Sequence, residues 1–192
     1  ADAVRRSEDG AALATLWQGL VGQGLATLGA DPAEGGLREA TLVMAELGRA
    51  AAPVPALGPL LINLLLARAG AMPAATLAGL QTGEHRVALA CAGLADDDDA
   101  GALQIDGSVV SGLLRFVDAG PHATHVLALA GGVPVLVDLG HGGAQLQPAR
   151  ALGAAGVGGW AEVRLHNARV HLLPAAAPPV QWQQLMRLLL LA

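Results

Sequence analysis

The sequence has no lysine and no tyrosine, one cysteine and one phenylalanine. Each absence removes a class of chemistry. Without lysine there is no Schiff-base nucleophile and no P-loop. Cys91 alone cannot close an internal disulfide or complete a multi-cysteine metal site, and such sparing use of cysteine fits a reducing, cytoplasmic compartment. Serine is nearly absent and no G-x-S-x-G occurs, which argues against a serine hydrolase. All 11 basic residues are arginine, against 16 acidic ones; the net charge of −5 argues against a nucleic-acid partner. The opening ADAVRRSEDG is too polar for a signal peptide. The longest apolar run, Ala56–Ala67, is interrupted by Gly58, Pro59 and Asn63. It is shorter than the ~20 residues that span a bilayer, so no membrane span is expected. The chain starts without Met and ends in LMRLLLLA, as a piece of a longer protein would.

What is present is apolar and patterned. The 192 residues are 53% hydrophobic, mostly Ala, Leu and Val, enough for one large domain or two small ones with packed cores. The spacing predicts a helix over Ala11–Gly22, capped by Ser7 or Asp9, with Leu13, Leu16, Trp17, Leu20 and Val21 inward. Asp31 to Gly36 reads as a loop. Around Glu39–Arg49 the positions Leu37, Ala40, Thr41, Met44, Leu47 and Ala51 make one buried stripe. Pro53 and Pro55 stop that helix. Trp17, Met44 and Leu47 are expected in the core, and the rest of the chain is expected to organise around this central helix. Leu57–Arg68 and Pro73–Gln81 read as two more helices, with Gly70 as a stop between them.

From Arg86 the hydrophobic period changes from 3.6 to 2. Short strands are predicted at Arg86–Cys91, Ala102–Ile105, Gly112–Val117, His125–Ala130, Val133–Leu139, Ala144–Gln147, Ala161–Leu165 and Arg169–Leu172. Asp106-Gly107, Gly131-Gly132 and Gly140 to Gly143 mark turns. A linker at Ala175–Pro179 leads into a helix from Val180. This segregated order implies an α+β chain: a helical domain over 1–85, a β-barrel or sandwich over 86–175, and a linker with the first helix of a further helical domain over 176–192.

Gly35-Gly36 and Glu39–Pro55, reading EATLVMAELGRAAAPVP, resemble the N-terminal helical domain of the acyl-CoA dehydrogenase family. ALQIDGSVVSGLLRFVDAGPHATHVLALA and WAEVRLHNARVHLLP are similar to segments of that family's middle β-domain. The resemblance covers roughly residues 10–192. It implies a third, helical-bundle domain, of which 176–192 would be the start. It also implies FAD between β-domain and bundle, an acyl-CoA substrate, a flavoprotein electron acceptor, a place in fatty-acid metabolism, and a homo- or hetero-oligomer. The family's catalytic Glu lies on the bundle, so no catalytic residue is assigned here.

By the same resemblance, two segments would bind the flavin. Cys91 and Ala92 stand where the family carries Thr and Glu. Phe116, Val117 and Asp118 stand in the second segment, with Phe116 at the aromatic position against the isoalloxazine. A β-domain core Phe is the competing reading. Asp118 puts a carboxylate where many members have a hydroxyl, and would repel an anionic reduced flavin. Asp96–Asp99 fall on the family's substrate loop and read as a solvated acidic loop that would repel CoA phosphates. The six histidines read as unclustered and no metal site is expected; Gly153, Gly156 and Gly158 read as a loop, not a dinucleotide fingerprint. Three functions remain: a flavin-dependent acyl-CoA dehydrogenase, a degenerate partner subunit of a heteromeric dehydrogenase, and a binding module without flavin.

Overall fold

The computed structural model describes residues 10–50, 52, 54–69, 72–90, 103–118, 122–131, 133–148, 160–173, 184 and 188. Ser7, Asp9, Ala51, Pro53, Gly70, Cys91, Ala92, Asp96–Asp99, Gly153–Gly158 and Ala175–Trp182 lie outside the described residues. The helices are α1 (Gly10–Gly22), α2 (Leu37–Arg49), α3 (Leu57–Ala69) and α4 (Ala74–Gln81). The strands are β1 (Val87–Leu89), β2 (Gln104–Asp106), β3 (Val109–Asp118), β4 (His125–Ala130), β5 (Val133–Asp138), β6 (Ala144–Pro148) and β7 (Trp160–Leu172). Gln184 and Leu188 are helical.

Helix α3, not α2, is the hub. Leu60, Leu61 and Ile62 are completely buried, as expected of a helix that is apolar all round. At its start Gly58 lets the helix touch β1: a Cβ there would fall 2.9 Å from the Val87 carbonyl carbon and closer still to its oxygen. Asn63, also buried, turns its amide onto the Ala26 and Leu28 carbonyls at 2.8 and 3.0 Å. It thus satisfies two backbone acceptors of the turn that leaves α1.

The stripe on α2 is only partly covered. Ala40 is buried, but Leu37, Met44 and Leu47 are half-buried and Leu42 is exposed. Leu16 on α1 is exposed as well. The 3.6 periodicity gave the correct face in both helices, but a face is buried only as far as a neighbour covers it. Met44→Ala is therefore expected to cost about 1 kcal/mol, well below a full core truncation. Equilibrium urea unfolding checks this. The N-terminus of α2 is held by the Glu39 carboxylate, which accepts the Gly36 backbone N–H at 2.9 Å.

The strands form one mixed sheet in the order β1-β4-β5-β7-β3-β2, with β6 also on β7. Among the described strands only β1–β4 is parallel; the other pairs are antiparallel. The two strands expected at 161–165 and 169–172 are one strand. Asn167, at φ 52, takes up an irregularity in its pairing with β3 without ending it. A lone bridge between Ala90 and Val117 brings the end of β1 against β3, so the sheet curls toward a barrel and stays open. The turns at Asp106-Gly107 and Gly131 close two-residue hairpins, with φ 58 at Gly107 and 56 at Gly131.

Strands β1, β4 and β5 are buried on both faces. Val87, Leu89, Leu127 and Leu136 pack with the helices. Ala88, Val126, Ala128, Val135 and Val137 pack against Val110, Leu114, Val163 and Leu165 of the other strands. Two cores thus share one layer of strands.

Candidate functional site

The pairing of β3 with β7 shifts register between Leu114 and Val117. Leu114 faces Val163 and Val117 faces Ala161, so β3 spends three steps where β7 spends two. The extra residue on β3 includes Phe116, whose φ is 53. A phenylalanine in the left-handed region is strained by about 1–2 kcal/mol. The residue is 55% exposed, which decides against a core role. The ring instead meets Trp160 edge-to-face, with centroids 6.3 Å apart and planes at 82°. A bulge of this kind re-aims a side chain, here outward.

Val117 is completely buried in the sheet core and pairs with Ala161 of β7 on one side and Ala90 on the other. Through its bridge to Ala90 it sets the Phe116–Asp118 stretch beside the end of β1. Cys91 and Ala92 themselves are outside the described residues. Asp118, half-buried, pairs in register with Trp160. Phe116, Trp160 and Asp118 therefore share one end of β3 and β7. Sequence reasoning did not single out Trp160; its signal was an indole at the head of the strand that closes the β-segment.

A second grouping was not expected at all. The histidines do cluster at the opposite end of β1. His85 and His125 rings lie 4.3 Å apart. His125 is buried and faces Asp138 in register. Asp138 accepts from His141 Nδ1 at 2.5 Å and from the Gly140 N–H at 2.8 Å. His171, opposite Leu136, also feels the charge of Asp138. These residues span 86 positions of the chain, from His85 to His171, and converge through the β1–β4–β5–β7 pairing. Among the described residues no group of His, Cys, Asp and Glu has a metal-holding arrangement.

No family model matches the chain, and no curated protein does. Solved structures do. A variant of the Tcur3481-Tcur3483 steroid ACAD superposes with TM-score 0.72 at 22% identity, covering 97% of this chain and 57% of that one. The ChsE4-ChsE5 complex from Mycobacterium tuberculosis gives TM-score 0.63 at 22% identity, covering 90% and 50%. An acyl-CoA dehydrogenase from Geobacillus kaustophilus gives 0.63 at 18%, covering 90% and 53%. The chain has the acyl-CoA dehydrogenase fold. It spans about half the length of these solved chains. The acyl-CoA dehydrogenase resemblance in ELGRAAAPVP and in the order of elements is thus matched by the backbone itself.

Proposed function

We propose that this chain contributes the flavin-facing helical and β segments of an acyl-CoA dehydrogenase-type flavoprotein. The reaction proposed is α,β-dehydrogenation of an acyl-CoA thioester, with FAD as hydride acceptor and a flavoprotein as the onward electron acceptor. The observation that carries this reading is Phe116. It is a large aromatic side chain held outward on a strained bulge, at the position the family resemblance assigns to flavin contact. Strain at a bulky residue persists only where the surroundings over-determine it, and such positions gather at ligand sites.

FAD, when bound, would supply the hydride acceptor. Phe116 and Trp160 together offer an apolar, T-shaped aromatic surface for one edge of a planar ring and keep water from it. The Val117 backbone is held in place by the core and by Ala90. Asp118 disfavours build-up of negative charge next to it. A base for the substrate proton is not assigned to any residue of this chain. No helix among the described residues is long and apolar enough to cross a membrane.

Phe116→Gly separates a ligand role from a structural one. Glycine relieves the positive φ, so the thermal midpoint of the full chain should hold or rise. Flavin affinity should fall, by about tenfold if one aromatic contact of 1–1.5 kcal/mol is lost. A lower midpoint with unchanged flavin retention would assign Phe116 to packing and remove the carrying observation.

A second reading, a degenerate partner subunit of a heteromeric dehydrogenase, is favoured by two observations. Asp118, Cys91 and Ala92 depart from the family's hydroxyl and carboxyl pattern. One structural neighbour is itself a two-component complex, ChsE4-ChsE5. Under this reading the chain alone holds no flavin, and co-expression with a second dehydrogenase-like chain restores it in a joint particle. Size-exclusion chromatography with absorbance detection distinguishes the two.

A further inference from the structure

We propose that the stacked His85–His125 pair, backed by Asp138 and His171, is an acid-sensitive clasp that fastens the α4–β1 corner to the sheet at neutral pH and releases it on acidification. The proposal does not depend on the flavin reading.

The corner is built around two imidazoles. His85 lies directly on Gly79 of α4: a Cβ at Gly79 would fall 2.5 Å from its Nε2, so only glycine lets the ring in. The His85 backbone N–H donates to the Gly79 carbonyl at 2.8 Å. The other side of the ring meets His125, tilted by 40°. His125 is 4% exposed, and its Nδ1 lies 3.0 Å from the Thr124 hydroxyl. That hydroxyl accepts the Arg86 N–H at 2.9 Å, and the Arg86 carbonyl takes the backbone N–H groups of Thr124 and His125 at 2.9 and 3.1 Å. Helix α4, the turn before β1 and the start of β4 are thereby joined through one pair of rings.

This arrangement suits a neutral His125. The His85 Nδ1 is buried and has no hydrogen-bond partner. A proton on His125 would put a charge out of water, on a buried ring with the half-buried His85 imidazole 4.3 Å away. The groups facing His125 are His85 from the turn before β1, Asp138 from β5, His141 from the turn after it, and His171 from β7. The described side chains of α3 and all of α4 add no charge. Among the described residues Asp138 is the single negative group acting on His125, and it is already engaged by His141 and Gly140. Burial first, then His85, pushes His125 down to about 4 against the opposing pull of Asp138. His171 is also lowered, mainly by burial and then by Arg169. For Asp138 burial acts upward, but the Gly140 N–H, His125 and His141 together hold its carboxyl below the usual range.

The sign follows directly. His125 has a lower pKa in the folded chain than the ordinary histidine value of 6.5, so the open form binds more protons between about pH 6.5 and 4. Closure is fully favoured above that window and weakens as pH falls through it. For these two values the opening constant rises roughly 20-fold between about pH 7 and 5.

Amide hydrogen exchange of the full chain at these two pH values, corrected for intrinsic rates, tests it. The amides of His85, Thr124 and His125 should gain the roughly 20-fold increase, while that of His166, bonded to the Gly143 carbonyl at 2.7 Å where β6 meets β7, stays level. His125→Asn should abolish the difference. If that variant fails to fold, Asp138→Asn, which can still accept the Gly140 N–H, removes the counter-charge and should carry the rise in corner exchange further when the comparison is extended from pH 5 to 4, where the rise in the parent chain begins to level off. An equal response at His166, no response at the corner, or an unchanged response in the variant that folds would each overturn the clasp.

Discussion

Gly58→Ala should destabilise the protein by more than about 3 kcal/mol, or prevent folding, although alanine is the better helix former. The added methyl group would meet the backbone of Val87, not a side chain that could turn aside. Either α3 lifts from β1, opening the cluster around Leu60, Leu61, Val87 and Leu89, or β1 shifts and strains its pairing with β4. Gly48→Ala in α2 is the matched comparison. Nothing lies within 4 Å of a Cβ there, so the same change should gain about 0.5–1 kcal/mol. Urea unfolding of both variants decides it. Similar effects at the two positions would mean that α3 does not approach β1 as closely as the structure has it.

The second large effect belongs to Trp17. Its side chain is 1% exposed, and the indole N–H donates to the Gly83 carbonyl at 2.7 Å. That bond fastens α1 to the turn leaving α4, a separation of 66 residues. Gly83 sits at φ 71, and any side chain on it would run into Val21 and the Trp17 ring. Trp17→Ala should cost about 3–5 kcal/mol, because a large cavity opens and a buried carbonyl loses its donor. Trp17→Phe should recover the packing and not the hydrogen bond, leaving a loss of about 1–3 kcal/mol. Equal losses for the two substitutions would show that the hydrogen bond, and not volume, holds the site.

Periodicity made much of this fold legible. The change from a period of 3.6 to a period of 2 near Arg86 separates helices from strands, and the hairpins at Gly107 and Gly131 follow from their turn residues. What periodicity does not carry is coverage. Met44, Leu47 and Leu16 lie on the inward faces of their helices, yet no neighbour encloses them fully. Nor does it carry pairing across distance. The joining of two expected strands into β7 depends on Asn167 adopting a left-handed conformation inside a paired strand. Phe116 could be named from its family position, but its exposure depends on a bulge that a sequence alternation hides. Trp160 and the four histidines were missed for the same reason, since only the β3–β7 and β4–β5–β7 pairings bring them to their neighbours.

The flavin content of the full chain, purified alone and after co-expression with a second dehydrogenase-like chain, tests the central claim most directly. Bound FAD, seen by its visible absorbance and released more readily from Phe116→Gly, is the predicted result. Absence of flavin both from the chain alone and from the co-expressed particle would contradict the account.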